Sequence, residues 1–345
     1  MSPSTYTRIL LNERPKTTFD DNSFRSETVS YDLKAGPSQV VLKNEWLSLD
    51  PAMRGWVNDG RSYLPPVPLN AVMRGGTVAT VIEAGPGSKF AVGDTVTTFA
   101  AGWTEYAVVD DKDLQKLQVP PGAQLLDFLG PLGATGLTAY FGLLDVGKIK
   151  AGQTLVVSGA AGAVGSIVCQ IGKKHGAKVY AIAGSDDKCQ WLEKDLGVEK
   201  ALNYKSPTFH KDFIDTIGYL DVFFDNVGGE ILNFALTRLN QNARIVLCGA
   251  ISDYNGLGSG KGLTNYINLI AMRGTMQGFI VFDYQARYGE AIQELAKYLA
   301  EGSLQRKFHI VEGLQNASTA IQLLFNGGNT GKLVVHVPGS EAGRL

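Results

Sequence analysis

The chain is poor in the residues that build covalent frameworks and metal centres. Among its 345 residues are three cysteines and four histidines. Cys169, Cys189 and Cys248 are odd in number and widely spaced, which leaves neither a disulfide framework nor a Cys-x-x-Cys metal site, so reduced thiols are expected. His175, His210, His309 and His336 are scattered, and no two share a helical face as zinc ligands do. A surplus of either charge is missing too. With 32 Lys and Arg against 33 Asp and Glu the formal net charge is -1, which offers no general attraction to nucleic acid or acidic lipid. No apolar run approaches the ~20 residues that span a bilayer, and the opening Met-Ser-Pro-Ser-Thr-Tyr-Thr-Arg has no charged start leading into an apolar core. These absences predict a cytoplasmic protein with no metal, no nucleic-acid partner and no membrane partner.

What the chain does have is glycine in telling places. In Leu155-Val-Val-Ser-Gly-Ala-Ala-Gly-Ala-Val-Gly-Ser166 a short apolar strand breaks into Gly159, Gly162 and Gly165, then enters a helical pattern through Ile167, Val168 and Ile171. Such a turn suits a dinucleotide: Gly159 for a tight bend, Gly162 for backbone approach to a pyrophosphate, Gly165 for close helix packing. Ala163 and Val164 lie in the same turn. The spacing is G-x-x-G-x-x-G, and the bland reading is a glycine-rich turn without function; the flanking strand and helix favour the cradle.

A chain of this length exceeds one ordinary core, and two domains are expected. Residues 1–128 carry short β-branched runs such as Gln39-Val-Val-Leu-Lys43 and Thr77-Val-Ala-Thr-Val-Ile82 and read as a β-rich domain. From 129 to 302, apolar strands placed at 154–158, 178–183, 201–203, 221–225 and 244–248, with helices after the first, second and fourth, read as a doubly wound parallel sheet. A last amphipathic helix runs from Tyr288 to Leu299. Residues 303–345 read as strand, helix and strand returning to the first domain, and Gly256 to Gly262 as a mobile loop. The predicted fold class is α/β: a Rossmann-type doubly wound parallel sheet domain plus a β-rich domain.

In an NAD-binding unit an acidic residue about 20 positions past the glycines holds the adenosine ribose. Here that strand ends in Gly184-Ser185, and Lys188 follows one turn on, which favours the 2′-phosphate of NADP. Asp186 and Asp187 pull the other way and read as residues complementing a helix dipole. Taken alone, Lys188 is an ordinary surface lysine.

The order of these parts resembles the medium-chain dehydrogenase/reductase superfamily. Its zinc alcohol dehydrogenases carry a Gly-His-Glu ligand motif where this chain reads Val72-Met-Arg-Gly-Gly-Thr77, and their cysteine-rich lobe has no counterpart, so the zinc branch is not matched. More specific strings are Leu49-Asp-Pro-Ala-Met-Arg54, Gly133-Ala-Thr-Gly-Leu-Thr-Ala-Tyr140, Asn203-Tyr-Lys205, Asp225-Asn-Val-Gly-Gly229, Cys248-Gly-Ala-Ile-Ser252 with Tyr254-Asn255, Met276-Gln-Gly-Phe-Ile-Val281, and Asn326-Gly-Gly-Asn-Thr-Gly-Lys332. Together they resemble the leukotriene B4 12-hydroxydehydrogenase/prostaglandin reductase family, which includes alkenal double-bond and curcumin-type reductases.

That resemblance implies a GroES-like fold for the β-rich domain, a homodimer, and NADPH-dependent reduction of the C=C bond of unsaturated aldehydes or ketones without metal. Quinone reduction and non-catalytic NADPH binding stay open as alternatives. It also implies that Lys188, Ser185 and Tyr204 hold the 2′-phosphate end, and that Cys248, Ile251, Ser252 and Tyr254 border the nicotinamide ribose; Asn226, at the carboxyl end of the fourth strand, sits where the switch-point rule places cofactor, and its amide can serve a ribose hydroxyl. Phe279, Ile280 and Val281 would offer backbone groups to the carboxamide, with Asn329 closing the site. Plain alternatives stand beside these: Tyr204 as a strand-end aromatic, Asn226 as a turn residue, Asn329 as a helix C-cap, Cys248 as a packed thiol. Tyr254 and Tyr63 are the candidate catalytic donors, since a phenol of pKa ≈ 10 can bond to a developing enolate without itself being charged. Their plain roles would be to cap the cofactor site and to pack on Pro65 and Pro66.

Overall fold

Runs of β-branched residues fold the first third of the chain into strands. In the computed structural model, which describes residues 3–256 and 262–338, these are β1 (Thr5–Leu11), β2 (Phe24–Ser30), β3 (Gln39–Ser48), β4 (Thr77–Ala84), β5 (Thr95–Thr98), β6 (Tyr106–Asp110) and β7 (Gln115–Lys116), with the one-turn helix α1 (Met53–Trp56) between β3 and β4. Next come α2 (Ala134–Phe141), β8 (Thr154–Val157), α3 (Ala163–Lys174), β9 (Lys178–Ala183), α4 (Asp186–Lys194), β10 (Lys200–Asn203), α5 (Phe209–Thr216), β11 (Leu220–Asp225), α6 (Gly229–Ala235), β12 (Leu239–Leu247), α7 (Asn268–Met272), β13 (Thr275–Gly278) and α8 (Tyr288–Ala300). The tail adds β14 (Phe308–Glu312), α9 (Ala317–Ala320), α10 (Gln322–Asn326) and β15 (Lys332–His336). Residues 257–261, within the segment read as a mobile loop, lie outside the described residues.

The chain divides into two units, one of residues up to Leu129 together with those from Phe308 on, the other Gly130–Lys307. In the first, the described strands run β14-β15-β3-β4-β5-β7, with β6 also paired to β3 and β1-β2 as a separate antiparallel ribbon. The C-terminal strand thus completes the sheet begun at the N-terminus: Val334 pairs with Ser48 and His336 with Trp46. One core gathers Ile9, Leu47, Met53, Trp56, Trp103 and Ile321.

In the second unit the described strands form a parallel sheet in the order β10-β9-β8-β11-β12-β13. Each strand that follows the central β8 moves outward on one side, then the order reverses and fills the other side. That is the Rossmann arrangement, whose crevice lies at the carboxyl ends of the strands flanking the reversal. Leu155, Val156 and Val157 are fully buried, as a strand covered on both faces requires.

Three of the elements that differ from the sequence reading have a plain physical reason. Helix α5 follows β10, where no helix was expected, because only Phe209 and Phe213 carry its buried face. Strand β12 starts at Leu239, five residues before the expected 244, since its first turn of pairing passes through the exposed, polar Gln241 and Asn242 beyond a register shift. The short edge strand β13 is largely exposed and so lacks the alternation that marks a half-buried strand. No helix among the described residues is long and apolar enough to cross a membrane.

Candidate active site

The glycine turn joins β8 to α3 at the middle of the parallel sheet. Gly159 adopts φ +56°, a conformation that side chains disfavour. A Cβ on Gly165 would lie 2.5 Å from the Gly159 carbonyl oxygen and 2.8 Å from the Ala160 Cα, so only glycine lets α3 sit this close to the turn. Gly162 is the N-cap of the 12-residue α3, and no side chain bonds to the helix amides there. The first-turn amides, Ala163 and Val164 among them, are therefore presented as an anion site of the kind a pyrophosphate occupies.

Beside that turn a buried carboxylate ties the two central strands together. Asp225, the last residue of β11, accepts from Ser158 Oγ at 2.6 Å and from the Val227 and Gly228 amides at 3.1 and 3.0 Å. Burial pushes its carboxyl above the usual range, while these hydrogen bonds pull it down. Asn226 donates Nδ2 to the Ser158 carbonyl at 2.7 Å, and its backbone amide donates to Ser158 Oγ at 2.9 Å. Its side-chain nitrogen is thus used within the protein, which leaves Oδ1 as the acceptor to offer a ribose hydroxyl. The segment after β12 is laced to the same knot: Cys248 N donates to the Asp225 carbonyl at 2.9 Å, Ile251 N to Asn226 at 3.3 Å, and Ser252 Oγ to Val227 at 2.6 Å. A Cβ on Gly249 would stand 3.2 Å from the Tyr254 hydroxyl and 3.3 Å from the Asn226 carbonyl, so Tyr254 folds onto this group as well.

At the carboxyl ends of β9 and β10 two lysines, Lys188 and Lys205, stand near Asp186 and Asp187. Ser185 caps α4, its hydroxyl accepting from the Lys188 amide at 3.4 Å. Burial, and then the neighbouring Lys205, hold the Lys188 ammonium below the ordinary lysine value. Lys205 Nζ also lies 5.8 Å from the centre of the Tyr204 ring, and a Cβ on Gly184 would come within 3.0 Å of that ring. The room that Gly184 leaves is therefore taken by Tyr204. Asp186 and Asp187 occupy the first turn of α4, where they complement its dipole, and Asp186 accepts from Asn203 Nδ2 at 2.8 Å.

Phe279, Ile280 and Val281 follow the edge strand β13. The Val281 carbonyl accepts from Tyr288 at 3.0 Å and the Ile280 carbonyl from the Asp283 amide at 3.1 Å. All these residues lie in the second unit. Tyr63 and Asn329 belong to the first, where Asn329 Nδ2 donates to the Gly331 carbonyl at 3.1 Å, within its own turn.

Tyr63 stands on the loop after α1, and Trp56 Nε1 donates to its hydroxyl at 2.7 Å. Burial raises the phenol above its ordinary value; the Trp56 bond and Arg74 oppose this, and Asp50 adds to it. A phenol so placed stays protonated at neutral pH. The sequence reading passes over Lys205, Trp56 and the Ser158–Asp225 pair. Lys205 is signalled only by its position next to Tyr204, and Asp225 only by a carboxylate ending an apolar strand.

Among the described residues no group of three or more His, Cys, Asp and Glu could hold a metal ion. Burial pushes the Cys169 and Cys248 thiols up to about 12 and the Cys189 thiol to about 11. At neutral pH these are packed thiols, not nucleophiles.

A Rossmann-type sheet joined to a β-rich unit defines the dehydrogenase/reductase class, and comparison with known proteins narrows it. Residues 7–117 match a family model described as the N-terminal domain of oxidoreductase, and residues 163–297 one described as zinc-binding dehydrogenase. The chain is 41% identical over 335 residues to YfmJ of Bacillus subtilis, covering 96% of this chain and 97% of that one. It is 38% identical to the NADPH-dependent curcumin reductase of Escherichia coli, covering 89% and 90% of the two chains. The crystal structure of CurA from Vibrio vulnificus in complex with NADPH superposes with a TM-score of 0.90 at 37% identity, over 96% of this chain and 99% of that chain. This chain belongs to the zinc-independent medium-chain dehydrogenase/reductase family and is an oxidoreductase.

Proposed function

We propose that this protein is an NADPH-dependent reductase of the C=C bond in α,β-unsaturated aldehydes and ketones that works without metal. The observation that carries the chemistry is Tyr63, a phenol oriented by the Trp56 indole and protonated at neutral pH. When bound, NADPH supplies the hydride that adds to the β-carbon. Tyr63 donates a hydrogen bond to the carbonyl oxygen as negative charge develops there. The α-carbon takes its proton from water.

The residues present fit the cofactor. Lys188 and Lys205, with Ser185 and Tyr204, take the 2′-phosphate, and two cations at this strand end suit a dianion where an NAD enzyme would place a carboxylate. The amides of Ala163, Val164 and Gly165 hold the pyrophosphate, with Gly162, whose own amide donates to the Gly159 carbonyl at 2.9 Å, letting the backbone approach it. Asn226, Cys248, Ile251, Ser252 and Tyr254 border the ribose, and Phe279 to Val281 the carboxamide. The names of the relatives support the reading: one is an NADPH-dependent curcumin reductase, another the prostaglandin reductase 1 of Bos taurus.

The test follows NADPH absorbance with a panel of alkenals, enones and quinones, with product analysis. The saturated carbonyl is the expected product. Reduction of the carbonyl with the double bond intact, or a clear preference for quinones, refutes the reading. The protein is proposed to act as a homodimer through the edge strand β13 and neighbouring α7, where Tyr266, Ile267 and Ile270 are 59%, 64% and 74% exposed. Light scattering should give twice the chain mass, and Ile270→Asp should shift it to the monomer; a wild-type monomer removes the proposal.

A further inference from the structure

Arg74 lies in the stretch between the Leu10–Val72 bridge and β4, next to the fully buried Met73. Its guanidinium is 5.9 Å from the centre of the Trp56 ring, and Nη1 donates to the Pro65 carbonyl at 3.1 Å. Trp56 is the residue that bonds to the Tyr63 hydroxyl, so cation, indole and phenol form one contiguous group. The guanidinium is half-buried, and desolvation disfavours its charge. Among the described residues its partners are a carbonyl and a ring, with no carboxylate.

The nearest acid felt at Tyr63, Asp50, is already matched. It accepts from the buried Lys332 Nζ at 2.5 Å and from the Ser48 hydroxyl, while Lys332 also donates to the Leu49 carbonyl at 3.1 Å. Arg74 therefore leaves this group with one positive charge in excess. A guanidinium presents five donors in a flat fork, and here one is used by Pro65. The rest fit an acceptor with two coplanar oxygens.

We infer that Arg74 binds a carboxylate carried by the substrate, so that the preferred substrates are unsaturated carbonyl compounds bearing an acid group. This rests on the reductase reading of the same site and deepens it. The local alternative is that Arg74 only secures the loop, covering Trp56 and holding the Pro65 carbonyl. A matched pair of substrates separates the two.

The full protein, saturated with NADPH, is assayed with a straight-chain enone ending in a carboxylate and with the methyl ester of that compound. The expected wild-type kcat/KM favours the acid by about tenfold, the size of one half-buried charge-assisted hydrogen bond. Arg74→Gln should bring the acid-to-ester ratio close to one, and Arg74→Lys should keep an intermediate ratio because it retains the charge without the fork. Any loss of loop order lowers both substrates together and cancels in the ratio. A wild-type ratio near one, or a ratio unchanged in Arg74→Gln, overturns the inference.

Calorimetric titration of the saturated acid and its ester separates this result from a failure of the reductase reading. If the enones are not turned over but the acid still binds selectively through Arg74, the anion site stands and the reductase reading falls. Equal binding of acid and ester overturns the anion site whatever the turnover.

Discussion

Removing the ammonium of Lys188 should cost affinity for NADPH and little for NADH, because the two cofactors differ only by the 2′-phosphate. A charge-assisted hydrogen bond contributes about 1.5–3 kcal/mol, or about 10- to 150-fold in affinity. Lys188 is only half-buried, so screening by solvent places Lys188→Ala toward the lower end of that range. The more exposed Lys205 should contribute about 0.2–1 kcal/mol, so that Lys205→Ala weakens NADPH by at most about fivefold. Both losses should shrink with added salt. Burial and Lys205 hold the Lys188 ammonium below the ordinary lysine value, so it loses its proton earlier as pH rises. Because the protonated form binds the phosphate, the preference for NADPH should decline on the alkaline side before free lysine titrates, and binding there should take up protons. Calorimetric titration of NADPH and NADH into each variant, at two salt concentrations and across the alkaline range, measures all of this. Equal losses for the two cofactors would place the phosphate elsewhere and refute the reasoning.

Other expectations follow from the same geometry. Gly165→Ala forces a Cβ to within 2.5 Å of the Gly159 carbonyl oxygen and should cost about 1–3 kcal/mol, lowering the midpoint of thermal unfolding by about 2–4 °C per kcal/mol; an unchanged midpoint would show that the turn yields freely. Ser158→Ala removes a donor from the buried Asp225 and should destabilise by about 1–3 kcal/mol. Its penalty is tied to pH. Burial raises the folded pKa of Asp225, so the stability it contributes is present below the unfolded pKa and is lost as pH rises through the folded one. The Ser158 bond stabilises the ionised form, so urea unfolding should show a larger Ser158→Ala penalty at neutral than at acid pH; the reverse order contradicts the assignment. Tyr63→Phe should lower kcat by about 100-fold, as loss of one oxyanion donor does, and Trp56→Phe by less, since the phenol remains without its guide. Steady-state rates with a single enone decide this, and a full-rate Tyr63→Phe enzyme removes Tyr63 from the chemistry.

Much of the second unit was legible because its constraints are local. An apolar run that breaks into Gly159, Gly162 and Gly165 and resumes at helical spacing leaves few alternatives, and the turn forms with Gly159 at φ +56°. The strands at 154–157 and 178–183 fall where buried parallel strands are expected, since both faces select apolar residues. Elements whose stability comes from distant partners were not legible. Strand β13 is polar and short, and only its pairing with β12 makes it a strand. Asp225 reads only as a carboxylate ending an apolar strand until Ser158, 67 positions earlier, is found donating to it.

By itself, the sequence determined the class of cofactor site and the absence of a zinc-ligand pattern, because glycine spacing and residue type act over a few positions. Only the tertiary structure decided which side chains share a site. Lys188 with Lys205, Ser158 with Asp225, and Trp56 with Tyr63 and Arg74 come from separate elements, and their charges and hydrogen bonds gain meaning only when folding removes the water between them.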